Sequence, residues 1–234
     1  NETTITAPLI KIFASDISLT GTFNVDYISP QHFGAVNNGA IGVHSNECST
    51  EIQKCIDSPI NVFASGFYYV DSTLIFSAGK TFVLTGTIYT DGNINLVSIR
   101  SGDVNLIGGG NLDVTGVTGF TNTVINYDLN YQIYGGRLDV NCVGSSTEVA
   151  TEDIGGNAIR FDQSSITTNG FCVFLTIRGS MDYFHTGIKS DTKVSTIYIN
   201  SLDVNVKITG CKKAFDIAKP SISDSRFEAV VQVD

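Results

Sequence analysis

The tripeptide Leu-Asp-Val occurs three times in 234 residues, as Leu112-Asp113-Val114, Leu138-Asp139-Val140 and Leu202-Asp203-Val204. The first two copies lie 26 residues apart. Leu175-Thr176-Ile177 precedes Ile197-Tyr198-Ile199 by 22 residues, and Thr186-Gly187-Ile188 precedes Lys213-Ala214-Phe215 by 27. Strand-like segments recurring at intervals in the twenties, with no helices between them, are the pattern of a β-solenoid. One coil cannot bury its own apolar face, so coils must stack and share a continuous core. Composition agrees. Hydrophobic residues are 42% and charged residues 16%, with 23 Gly and 4 Pro. That balance opposes disorder and a helical bundle, and suits many short strands joined by tight turns.

Charge narrows the function classes. The net charge is −9, and Lys212-Lys213 is the one compact basic pair, so no nucleic-acid reader and no binding to anionic lipid by charge are expected. No run of 18 apolar residues occurs, so no membrane-spanning helix is expected. The chain begins at Asn1 without a signal-peptide pattern, and is expected to be a piece of something longer. The five cysteines (Cys48, Cys55, Cys142, Cys172 and Cys211) are odd in number and widely spaced, and no Cys/His pattern suggests zinc. They read as small buried apolar residues of a protein folded in a reducing cytoplasm. No cofactor and no metal are expected.

Residues 1–28 alternate polar and apolar, with Ile10, Ile12, Ile17, Leu19, Phe23 and Val25 at period two around a turn near Gly21. They read as an N-terminal β neck or linker, and residues 29–234 as the solenoid. One segment reads as a helix, at about 49–57. Cys48, Ile52, Cys55 and Ile56 fall on one helical face, Thr50 and Gln53 suggest a capping box, and Pro59 ends the run. Beyond it come strands with Gly/Asp turns at Gly79, Asp91-Gly92 and Gly102-Asp103. At roughly 22–27 residues per coil, the chain after the helix provides about seven coils.

Pro30-Gln31-His32-Phe33-Gly34-Ala35, Asn38-Gly39 and Ser49-Thr50-Glu51-Ile52-Gln53-Lys54-Cys55-Ile56-Asp57 together resemble the N-terminal signature of the pectate-lyase-like superfamily, in the form found in phage tailspikes and tail fibres. Phe67-Tyr68-Tyr69-Val70 through Thr85-Gly86 resembles the opening coils of that family. The likeness covers about residues 28–110, and the remainder follows only the rung pattern. Asn37-Asn38 stands where Gly-Asp is usual, and Asn46-Glu47-Cys48-Ser49 where Asp-Asp-Thr is usual.

The resemblance implies an all-β, right-handed parallel β-helix whose short N-terminal α-helix caps the open end. It implies a homotrimer among other phage tail and virion proteins, folded in the host cytoplasm. Its implied task is to attach to host surface polysaccharide, with depolymerisation by a glycoside hydrolase or polysaccharide lyase as a further step. A structural virion shaft or adaptor without chemistry is the alternative.

Glycoside hydrolysis needs two carboxylates, about 5–5.5 Å apart for retention and about 6.5–9.5 Å for inversion. Asp113, Asp139 and Asp203, each read as pointing outward between inward Leu and Val, are the catalytic candidates on successive coils. A solvated outward Asp is the plainer reading of each. Glu148, Glu152 and Asp153 in an acidic excursion, and Asp182-Tyr183-Phe184-His185 between two strands, are secondary candidates. A solvated loop and a turn with a partly buried aromatic pair are their plainer readings. His32 and His44 read as structural.

Overall fold

The computed structural model describes residues 26–146, 155–163, 170–192, 197–219 and 222–232. The alternating segment up to Val25 and the acidic group Glu148, Glu152 and Asp153 lie outside the described residues. Tyr27–Ile28, read from sequence as the end of a neck, is already a strand, paired in parallel with Asn61–Ala64.

The chain is mostly β, and its strands form three sheets of thirteen, six and four strands in which every strand pair is parallel. The chain visits these sheets in rotation. Asn61–Ala64 and Phe67–Tyr69 belong to the thirteen-stranded sheet, Leu74–Phe76 to the six-stranded sheet, and Lys80–Leu84 pairs back onto Asn61–Ala64. From Gln132–Tyr134 onward a fourth segment joins each cycle and builds the four-stranded sheet.

Side-chain alternation explains why the layers bury one face. Val62, Phe82, Leu106, Leu138, Ile177 and Val204 are aligned rung to rung, and all are buried. Ile125, Ile159 and Ile188 form a second such column, and Ile133, Cys172 and Ile199 a third. Each fully buried aliphatic side chain of this size contributes about 1.5–3 kcal/mol relative to exposure. Rings stack in the same sense, Tyr127 on Phe161 at 5.0 Å between centroids.

The spacing between aligned residues varies more than the sequence repeats suggest. It is 20 residues from Val62 to Phe82, 39 from Leu138 to Ile177, and 23 from Val204 to Phe227. The Thr186/Lys213 repeat is a true register, with Ile188 opposite Phe215. The others are not. Leu112 aligns with Cys142 rather than Leu138, and Ile177 aligns with Val204 rather than Ile199. Hydrophobic tripeptides recur in several ladders, so likeness alone pairs strands from different ladders.

Glycines occupy most positions of the column at the bend between the two halves of the large sheet, with Val140 between Gly110 and Gly179. A Cβ on Gly86 would sit 2.1 Å from the Gly66 carbonyl oxygen, and one on Gly179 2.0 Å from that of Val140. Gly179 also has φ +102, in the left-handed region that side chains disfavour. It separates Thr176–Arg178 from Ser180–Asp182. On the next rung Val206 lies between the same two ladders, and Asp203–Thr209 runs straight through, pairing with both shorter strands. The two ladders thereby become one sheet.

The helix spans Ser49–Asp57 and buries Ile52, Cys55 and Ile56. Its N-cap is Cys48, not Thr50, and the Thr50/Gln53 capping box is not formed. Glu47 instead accepts a hydrogen bond from the Ser49 N–H. Gln53 turns to the sheet: its Nε2 donates to the Ile75 carbonyl (2.8 Å) and its Oε1 accepts the Ile75 N–H (2.8 Å). Ser49 Oγ accepts the Asp71 and Ser72 N–H groups, and Asn37 Oδ1 accepts that of Phe67. Polar side chains of the cap thus satisfy edge groups that a further strand would otherwise pair. Ser58 is extended, as the residue before Pro59 must be. A buried Lys80 closes the cap from below, donating to the Ser58 and Ile60 carbonyls. Burial lowers its pKa. A 3-10 turn at Pro30–Phe33 precedes the helix; there the Ser29 N–H donates to His32 Nδ1 at 3.0 Å, a structural role for that histidine.

Candidate functional site

The three sequence candidates fall in different places. Asp113 is buried, not outward, at 4% exposure. It aligns with Tyr89 and Val143, and accepts hydrogen bonds from the Thr115 N–H (2.8 Å) and hydroxyl (2.6 Å). It therefore shapes the turn that follows. Asp139 lies in the neighbouring ladder, opposite Arg178, and pairs with Arg137 at 2.9 Å. Asp203 aligns with Thr176 and pairs with Arg178 at 2.5 Å. Because Val204 continues the Leu138 column, the third Leu-Asp-Val is two residues out of phase with the second.

Asp182 accepts a hydrogen bond from the Ser180 hydroxyl at 2.9 Å, and Phe184 beside it is fully buried. His185 contacts the Thr186 hydroxyl at 3.2 Å. That segment is a turn anchored by an aromatic ring.

A stacked carboxylate column does exist, at the ends of three aligned Ile-x-x-Asp segments. Asp128, Asp162 and Asp191 are in register on successive strands of the six-stranded sheet. Adjacent strands lie about 4.8 Å apart. Each carboxylate has a cation: Arg100 Nε is 3.2 Å from Asp128, Arg160 is 3.0 Å from Asp162 and 3.3 Å from Asp191, and Lys189 is 3.9 Å from Asp191. Asp128 also accepts from the Asn130 N–H (3.2 Å) and Nδ2 (2.6 Å), which turns the chain toward Tyr131.

Across this turn the outer face of the four-stranded sheet is aromatic. Alternation sends Ile133, Cys172 and Ile199 inward, so Tyr134, Phe171 and Tyr198 face out. Tyr134 is 58% exposed, Phe174 56% and Tyr198 49%. Phe171 stacks on Tyr198 (5.5 Å, 11°), and Tyr134 meets Phe174 edge-on (5.2 Å, 67°). Phe174 adopts φ +58, a costly conformation for a bulky residue, and it is this backbone that carries its ring outward. Tyr131, 44% exposed, lies beneath the Arg100 guanidinium at 5.7 Å. The result is a wall of ring edges and phenol hydroxyls beside a charge-balanced column. Such a surface supplies apolar contact together with hydrogen-bond donors and acceptors, as a neutral polyhydroxylated ligand requires.

A second cluster sits near the cap. Asp91 lies 3.2 Å from His44 Nδ1 and accepts the Tyr69 hydroxyl at 2.6 Å, while the His44 ring stacks on Tyr69 at 4.5 Å. Tyr89 donates to the Val43 carbonyl. The bond to Asp91, with burial, pushes the Tyr69 phenol up to about 12. These contacts fasten the loop carrying His44 to the first rungs.

Among the described residues, no group of three or more His, Cys, Asp or Glu side chains has the arrangement to hold a metal ion. All five cysteines are free thiols. No helix among the described residues is long and apolar enough to cross a membrane. No family model, curated protein or solved structure matches the chain.

Proposed function

We propose that the three parallel sheets are the walls of one right-handed parallel β-helix, and that the chain is a phage tailspike or tail-fibre segment that attaches to host surface polysaccharide. Parallel strands joined by crossovers within a sheet are right-handed in nearly all proteins, which supports the hand. The assembly we propose is a homotrimer in the virion, joined to other tail proteins. The observation that carries the attachment reading is the aromatic wall of exposed Tyr134, Phe174 and Tyr198, with the half-buried Phe171 stacked on Tyr198, on the four-stranded sheet. Several aromatic side chains exposed together on the outer face of one sheet are unusual on a solvated surface.

The test is binding of the full chain to a panel of capsular and O-antigen polysaccharides. Replacing Tyr134 and Tyr198 together by Ala is expected to weaken binding by roughly tenfold or more. Undiminished binding by that double variant sinks the reading.

The second reading, a structural shaft without chemistry, is favoured by the charge pairing of Asp128, Asp139, Asp162, Asp191 and Asp203. A carboxylate already engaged by a neighbouring cation has fewer lone pairs left for a substrate. Release of reducing ends or unsaturated sugars from any bound polysaccharide would decide for cleavage over attachment alone.

A further inference from the structure

The three buried columns each end on a half-buried apolar residue. Ile188 is followed by Phe215, Ile199 by Ile222 and Val204 by Phe227. The first of each pair is fully buried and the second only partly so. Apolar core is therefore left open at the end formed by Lys213–Lys219, Ile222–Ser223 and Arg226–Gln232.

Arg226–Gln232 has an open backbone edge as well. The Arg226 N–H donates to the Leu202 carbonyl (2.8 Å), and the Gln232 carbonyl accepts the Gly210 N–H (3.1 Å). Alternate residues of a parallel strand turn both backbone groups to the same side. Arg226, Glu228, Val230 and Gln232 thus face Asp203–Thr209, while Phe227, Ala229 and Val231 aim N–H and C=O away from it. Among the described residues no strand receives them.

Exposed edges are ordinarily blunted by Pro, Lys, an inward charge or a bulge. Lys213–Lys219 is blunted: it carries a lysine at either end and pairs with a register shift. Arg226–Gln232 has no such device. Its register is unbroken, its Arg226 and Glu228 turn outward and pair with each other, and Val230 and Val231 are 69% and 49% exposed.

This strand complements a copy of itself. A two-fold axis through Ala229, normal to the sheet, reverses the strand but keeps its inner face inward, so the two open cores meet. Phe227 then lies opposite Val231, and Ala229 opposite Ala229, which brings every free N–H against a free C=O. Glu228 lies opposite Val230; centring on Glu228 instead would oppose like charges.

We infer that this edge is an end-to-end interface with a second copy of the chain, made by antiparallel pairing of Arg226–Gln232 about Ala229. It needs only the ladder and does not depend on the attachment reading.

Light scattering and sedimentation of the full chain, from dilute to concentrated solution, test it. The mass should double with concentration, and the amides of Phe227, Ala229 and Val231 should exchange slowly only in the doubled form. Ala229→Pro removes an outward N–H at a position where an edge strand tolerates proline, and should weaken association by roughly tenfold or more. Val231→Lys should do the same, and covers the case in which proline unfolds the strand. Val230→Lys sets an ammonium opposite Glu228 of the second copy and should tighten association by roughly threefold. A mass independent of concentration, amides already slow in the dilute form, or undiminished association in both folded weakening variants overturns the inference. Weaker association in Val230→Lys overturns the register. A side-by-side trimer would set the lower mass and survive these variants, so the two associations are scored separately.

Discussion

Tyr127 buries its hydroxyl among core side chains with no hydrogen-bond partner among the described residues. An orphan buried hydroxyl costs about 1–3 kcal/mol. Tyr127→Phe keeps the ring stacked on Phe161 and removes that cost. It should raise stability by about 1 kcal/mol, read as a higher urea midpoint with unchanged slope. A lower midpoint would mean that the hydroxyl has a partner after all. The cysteines give a second prediction. Burial raises the thiol pKa of Cys48, Cys55, Cys142, Cys172 and Cys211, that of Cys172 to about 12. The unfolded thiols ionise near 9 and the folded ones do not, so the folded state binds more protons above that pH. Stability is therefore full below pH 9 and declines from there as pH rises toward the folded values. Lys80, whose pKa is lowered, acts in the opposite sense between its folded value and 10.5, against the five thiols and the raised phenols of Tyr68, Tyr69, Tyr89 and Tyr127. Urea midpoints at pH 7 and pH 10 check the direction, and an unchanged midpoint counts against it.

The bends are set by single residues at the scale of an element. Gly179→Ala places a Cβ against the Val140 carbonyl and forces a left-handed φ. A loss of about 2–4 kcal/mol is expected. Thermal unfolding would show it, and a neutral result would mean that the bend can open as it does at Val206. This column also explains what the sequence made legible. The helix boundaries, its buried face and the succession of short strands followed from local chemistry: Pro59, the Cys48/Ile52/Cys55/Ile56 spacing and the Gly/Asp turns. Register did not, because the turns between rungs differ in length and Leu-Asp-Val fits three different positions. Gln53 was misread for the same reason. Its spacing from Thr50 matches a capping box, but the unpaired Ile75 backbone competes for the amide, and that backbone is known only from the fold. The aligned Asp128, Asp162 and Asp191 each stand three residues after an isoleucine, but the same Ile-x-x-Asp spacing at Ile88–Asp91 belongs to another sheet, so the pattern alone does not single out the column. The aromatic wall was open to an alternation argument at Tyr134, Phe171 and Tyr198, but only once their strands were known to be neighbours.

For the whole molecule, the proposed trimer predicts light scattering at three times the 25.1 kDa of the chain, and a monomer mass would refute it. In the proposed β-helix each coil touches chiefly the coils before and after it, so cohesion would be summed along a line rather than gathered in one centre. The two ends of that line are not equivalent. At one end the Gln53 amide stands in for a strand at the edge of the six-stranded sheet and leaves Ile75 nothing to offer a newcomer. At the other, Arg226–Gln232 is paired on its Asp203–Thr209 side alone among the described residues. The ladder is thus a vector with a stopped origin. Duplicated rungs can lengthen such a body without disturbing its origin. Deleting the nine residues of the helix would instead convert the origin into a template for intermolecular strand pairing.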